Sequence, residues 1–149
     1  MQRMISAFFV AALVLWFSSP AFAGGKVVVV PGVSEANATS MESYRMFIQG
    51  IQETLGAKQI VPEFVYVDFD HLSEDNAKME AGKAAVEKIK GLSPSVVMVL
   101  NDNTVKYIGM NISDVPVVFA FIFGTPNSLG LPKANITGVA RRSYAADIW

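Results

Sequence analysis

The chain has 149 residues, 12 Lys and Arg against 13 Asp and Glu, no cysteine and a mean hydropathy of +0.37. At that length one domain of ~100–200 residues is expected, and with no cysteine it must be held by burial rather than by disulfides. Near-neutral charge with a pI of about 5.8 argues against a polyanion-binding role, and a single histidine, His71, argues against a His-rich metal site or a Ser-His-Asp triad.

The N-terminal segment reads as an address. Arg3 precedes an apolar run from Ala7 to Phe17. Ser18, Ser19 and Pro20 break the run, and Ala21-Phe22-Ala23 has the small-x-small form of a cleavage site. This order is that of a secretory signal peptide over 1–23, cleaved after Ala23. The run is shorter than the ~20 residues that span a bilayer. Export without cysteine points to a bacterial envelope, so the mature chain is expected in the periplasm. Three Asn-x-Ser/Thr triplets, at Asn37, Asn111 and Asn135, are short and carry no weight in that compartment.

Four valines from Val27 to Val30, within Lys26 to Pro31, predict a strand buried on both faces. Gly32 to Ser40 reads as a polar loop, with Ser40 placed to cap a helix. In that helix Tyr44, Ile48, Ile51 and Leu55 form one apolar stripe, and Gly56 follows as a stop. Phe64 to Phe69 is a second strand. Ser73 is placed to cap a second helix, whose inner face would be Ala77, Ala81, Ala84, Ala85 and Ile89. Glu74, Asp75, Lys88 and Lys90 complement its dipole, and Gly91 ends it. Val96 to Leu100 is a third strand, followed by the polar turn Asn101-Asp102-Asn103-Thr104 and a short helix from about Thr104. Val115 to Ala120 is a fourth strand with Pro116 near its start. Residues 135–139 read as a fifth, and Ser143 to Trp149 as the beginning of a helix. That last segment leaves Tyr144, Ile148 and Trp149 without obvious cover, so the chain is expected to be a fragment of something longer.

Strands alternating with helices predict an α/β fold with a parallel sheet and right-handed crossovers. Ligands of such sheets bind beyond the carboxyl ends of the strands. Those ends are the loops at 32–39, 101–104 and 121–128, which offer amides, Ser, Thr and Asn side chains and the rings of Phe121 and Phe123. The mix suits a small organic molecule with a polar head, and helix starts near Ser40 or Thr104 suit an anionic group. Turn and cap chemistry accounts for Asn101-Asp102-Asn103 and Gly124-Thr125-Pro126 about equally well. Phe119, Phe121 and Phe123 alternate, so some of them belong to the core. Nucleotide-cradling glycine motifs and the G-x-S-x-G elbow are missing from the sequence. Asp68 and Asp70 stand close in sequence at the end of the second strand and could do acid–base work or hold Mg²⁺, but loop solvation and capping explain them more simply.

The strand and helix order, Phe47-Ile48-Gln49-Gly50-Ile51, and above all the run from Val115 to Val139 (Val-Pro-Val-Val-Phe-Ala, Gly124-Thr125-Pro126, Leu129-Gly130-Leu131, Asn135-Ile136-Thr137-Gly138-Val139) resemble the periplasmic substrate-binding components of ABC transporters, in the family that includes tryptophan- and tyrosine-type binders. The resemblance implies a Rossmann-like parallel sheet flanked by helices, the first lobe of a type I periplasmic-binding fold. The signal peptide would be 1–23, the substrate-binding lobe 24–139, and 140–149 the start of a crossover to a second lobe. It implies no catalytic residue, no metal and no cofactor. By position the ligand contacts would be Val33, Ser34, Asn101, Asp102, Asn103, Gly124 and Thr125. The expected partners are a small-molecule ligand and an ABC permease in the inner membrane, with no nucleic acid, and the full-length protein is expected to be a monomer. A sensory input domain of a signalling receptor is the alternative, and a small α/β hydrolase using Asp68 and Asp70 is a third. The sequence departs from the family pattern in two places. Thr125-Pro126 stands where Asp-Pro is usual, and Asn101-Asp102-Asn103 stands where Gly and Thr are usual.

Overall fold

The computed structural model describes residues 25–140. The export signal expected over 1–23 and the helix start expected over 143–149 lie outside these residues. Five parallel strands form one sheet: β1 (Val27–Val30), β2 (Glu63–Phe64), β3 (Val96–Leu100), β4 (Val117–Ile122) and β5 (Ile136–Ala140), in the order β2-β1-β3-β4-β5. The helices between them are α1 (Glu35–Ser40), α2 (Glu42–Gly56), α3 (Asp75–Gly91) and α4 (Asp102–Tyr107). Single 3₁₀ turns follow at Gly109–Asn111 and Pro126–Leu129. The expected α/β class and parallel pairing are therefore present.

Because side chains alternate along a strand, the valine runs feed both faces at once. On one face Val28, Val30, Val97, Val99, Val117 and Phe119 meet Ala85, Val86 and Ile89 of α3 and Val105 and Ile108 near α4. This is the main core. Gly82 sets the approach of α3 to α4, since a Cβ there would stand 2.5 Å from the Tyr107 carbonyl oxygen. The Tyr107 hydroxyl donates to the Asp75 carboxylate and Lys106 joins them at 3.1 Å, tying the first turn of α3 to the end of α4. On the other face α2 is the main covering helix. A smaller cluster of Val33, Ala38 and Tyr44 forms at its upper end, with Ile48, Tyr66 and Phe121 against it.

Several boundaries differ from the sequence reading. The stretch expected as a loop contains α1, because Ser34 caps it by accepting from the Asn37 amide at 3.2 Å. Ser40 is therefore the last residue of α1 rather than a cap, and Met41 precedes α2. Ser73 is likewise not the cap of α3, where Glu74 stands instead. The stripe residues Ile48, Ile51 and Leu55 are only half-buried, and Ala77 and Ala84 of α3 face solvent while Gly82 and Val86 are buried. β2 is two residues long, because only β1 pairs with it and Val65 to Phe69 turn inward, burying Val65 and Phe69.

β4 holds the most consequential difference. Phe119 pairs with Gly138 and Ile122 with Ala140, so β4 spends one residue more than β5 over that interval. This is a β-bulge, and Phe121 takes a φ of +57° within it. The bulge resets the alternation. Phe119 and Ile122 enter the main core, while Phe121 turns to the α2 face beside Tyr44.

Candidate functional site

In a parallel sheet all carboxyl ends share one edge. The order β2-β1-β3-β4-β5 means that the chain leaves β1 in one direction and β3 in the other, which opens a crevice between their ends. The turns after β1, β3 and β4 lie along this rim, so the structure brings together the three loops singled out by sequence. Hydrogen bonds then join them.

Asn101 sits at the centre. It is 9% exposed and its φ of +82° turns its side chain back over the crevice. Nδ2 donates to the Pro31 carbonyl at 3.1 Å and to the Tyr44 hydroxyl at 3.0 Å, and Oδ1 accepts from the Thr104 amide at 3.1 Å. One amide thus ties β1, α2 and the start of α4. Gly32, at φ +81°, makes room for it: a Cβ there would stand 2.4 Å from Asn101 Nδ2. Thr104, expected near a helix start, is the buried third residue of α4 and bonds the Leu100 and Asn101 carbonyls through its hydroxyl.

Asp102 joins the next pair of loops. Oδ1 accepts from the Phe123 amide at 3.0 Å and the Gly124 amide at 3.2 Å, and Oδ2 accepts from Gly124 at 3.1 Å. Thr125 then caps the following turn, accepting from the Ser128 amide at 3.3 Å. Asn103 is half-buried at the second position of α4. Val33 is fully buried against Ala38 and Tyr44, so it offers the rim only its main chain. Ser34 is half-buried, with its hydroxyl engaged as the α1 cap.

Sequence reasoning missed the contributions of Tyr44 and Tyr66, and it offered the Phe121 ring without the backbone turn that aims it. Tyr44 looked like one more stripe residue, yet its ring lies 5.3 Å from Phe121 and its hydroxyl accepts from Asn101. Burial raises its pKa, the Asn101 bond opposes that rise, and the carboxylates of Asp70 and Asp102 add to it. The Tyr66 pKa is raised as well, by burial and then by Glu35. Phe121 also contacts Phe47 at 5.6 Å and Phe123 at 5.4 Å, building an aromatic floor beside the polar rim. The sequence signal for this floor was present in the Phe-x-Phe spacing, but the bulge that aims it was not. Asp68 pairs with His71 at 2.7 Å on the loop after β2. Among the described residues, no group of three His, Asp or Glu side chains gathers to hold a metal, and no helix is long and apolar enough to cross a membrane.

The chain is similar in structure to the ABC domain in complex with L-Trp from Streptococcus pneumonia, at a TM-score of 0.58 and 21% identity, over 76% of this chain and 37% of that one. It is also similar to a conserved domain protein from Vibrio cholerae, at a TM-score of 0.54 and 20% identity, over 77% of this chain and 38% of that one. These likenesses show a shared α/β fold, and the chain spans less than two fifths of either protein's length. No family model and no curated protein matches it.

Proposed function

We propose that the chain forms one lobe of an extracytoplasmic solute-binding protein, which captures a small organic ligand such as an amino acid between two lobes and delivers it to an ABC permease. The observation that carries this reading is the joining of three polar turns along one rim by Asn101 and Asp102, next to the Tyr44–Phe121–Phe123 rings. Preformed polar groups beside an apolar floor suit a ligand with a charged head and an apolar body. The L-Trp named for the first structural neighbour is a molecule of that kind. Export to the periplasm, the absence of catalysis and a monomeric state belong to the same proposal.

Within the rim the roles divide. Ser34, Asn103, Gly124 and Thr125 stand at the ligand side. Asn101 and Asp102, whose polar atoms are committed to neighbouring loops, hold the turns in place. Closure of a second lobe would exclude water and supply the other half of the contacts. A single lobe should therefore bind weakly. Calorimetric titration of L-tryptophan and a panel of other L-amino acids into the chain tests the reading. Weak, saturable heat that disappears in the Thr125→Ala/Asn103→Ala double variant is expected. Titrations without saturable heat for any member of the panel would contradict it.

A further inference from the structure

Tyr44 lies under the rim where the turns after β1 and β3 are tied together, and it is 7% exposed. Its hydroxyl oxygen accepts from Asn101 Nδ2 at 3.0 Å. The same nitrogen donates to the Pro31 carbonyl at 3.1 Å, so both N–H groups of the Asn101 amide are engaged. A phenol oxygen accepts and also donates. Conjugation keeps the O–H bond near the ring plane, where the oxygen has one lone pair on one side and its proton on the other. With the Asn101 amide on the lone-pair side, the Tyr44 proton points to the opposite side. Asn101 is the one hydrogen-bond partner of this hydroxyl among the described residues, so the proton itself meets no acceptor there.

A buried donor without an acceptor is costly, and nearly all such groups in folded proteins find one. The acceptor for Tyr44 has to come from outside the described residues. Burial raises the Tyr44 pKa, so the hydroxyl keeps its proton throughout the physiological range. Accepting from Asn101 polarises the phenol and makes it a better donor. The ring stands edge-on to Phe121 with centroids 5.3 Å apart, and Phe121 meets Phe123 at 5.4 Å. The donor is therefore placed at the border between the polar turns and the aromatic floor, where the head of a ligand joins its apolar body.

We propose that Tyr44 is a ligand-binding residue of the rim: its hydroxyl, set by Asn101, donates to a carbonyl-type oxygen of the solute, either a carboxylate or a neutral carbonyl. The inference rests on the solute-binding reading above and adds the group that recognises the oxygen of the ligand.

Tyr44→Phe removes the hydroxyl and keeps the ring against Phe121, while Asn101 retains its bonds to the Pro31 carbonyl and the Thr104 amide. L-tryptophan, L-tryptophanamide and tryptamine share an indole and an amine and differ in the oxygen, which is a carboxylate, an amide carbonyl or missing. Titrations followed through backbone amide resonances read even weak binding. The variant should bind L-tryptophan about tenfold more weakly than the wild type, as loss of one hydrogen bond to a charged group does, and should bind tryptamine equally well. A matching loss for L-tryptophanamide extends the donor to neutral carbonyls, and an unchanged amide restricts it to carboxylates. Unchanged affinity for L-tryptophan, or equal losses for L-tryptophan and tryptamine, overturns the inference and leaves the solute-binding reading standing. Binding of none of the three by the wild type counts against that reading instead, and a crystal structure of the chain then judges Tyr44 separately. An ordered water in hydrogen-bond range on the proton side of its hydroxyl supports a donor open to solutes, and a protein acceptor in that place overturns it.

Discussion

The two faces of the sheet are built from the same valine-rich strands and end up very different. The α3 and α4 face is sealed: Val28, Val30, Val97, Val99 and Val117 are fully buried and α3 approaches close enough to require glycine at 82. Among the described residues the α2 face is sealed mainly over β1, and its aromatic cluster reaches up to the polar rim. Stability is concentrated on the first face, which frees the second to carry polar turns and a bulge.

The sharpest way to break this comparison is to make matched deletions on the two faces. Ile89→Ala should cost ~2–5 kcal/mol, as large-to-small changes in a closed core do. Ile51→Ala, at a half-buried position on α2, should cost less than half as much. Urea unfolding of both variants measures the gap, and equal costs would mean that the faces are equivalent. Additions should show the reverse asymmetry. Gly82→Ala drives a methyl into the Tyr107 carbonyl and should destabilise by ~1–3 kcal/mol. Gly56→Ala at the end of α2 meets nothing and should stabilise by roughly 0.5–1 kcal/mol.

The rim should respond differently from either face. Asn101→Ala leaves the Pro31 carbonyl and the Thr104 amide without a buried partner and should cost ~1–3 kcal/mol. Asp102→Ala should leave global stability closer to wild type, while hydrogen exchange at the Phe123 and Gly124 amides speeds up markedly. Protection of both amides in that variant would show that Asp102 does not hold the β4 turn.

The smallest effect is electrostatic. The Tyr107 hydroxyl, then Lys106, hold the Asp75 pKa below its ordinary value. A carboxylate with a depressed folded pKa adds stability that is present above its unfolded pKa and is lost as pH falls through the folded one. Tyr107→Phe should therefore flatten the acid limb of the stability curve below about pH 4. Because Asp75 is exposed, the change should be slight, and thermal melts across that range would detect it.

Much of this was legible in the sequence. Unalternating valine runs at Val27–Val30 and Val96–Leu100, alternating with helical stripes, point to a parallel sheet covered on both faces. The three rim loops followed from that alone. What could not be read was anything set by a single torsion or by a long-range bond. The left-handed backbone at Phe121 redirects a ring that simple alternation assigned elsewhere. The bonds from Asn101 to Pro31 and Tyr44 cross 70 and 57 residues, and no local pattern encodes them. The same gap hid the bonds by which Asn101 and Asp102 join neighbouring loops. Their residue types suit a ligand contact, and the fold adds their part in joining the turns. Short helix α1 was missed for a related reason: Ser34 was counted as rim rather than as a cap.

The rim over β1, β3 and β4 is the surface proposed to meet a solute. Mapping backbone amide resonances of the chain during titration with L-tryptophan tests it most directly. Shifts concentrated at Ser34, Asn103, Gly124 and Thr125, with the amides at the opposite end of the sheet unmoved, are the predicted result. Shifts that cluster at the amino ends of the strands, or none at any amide, would contradict it.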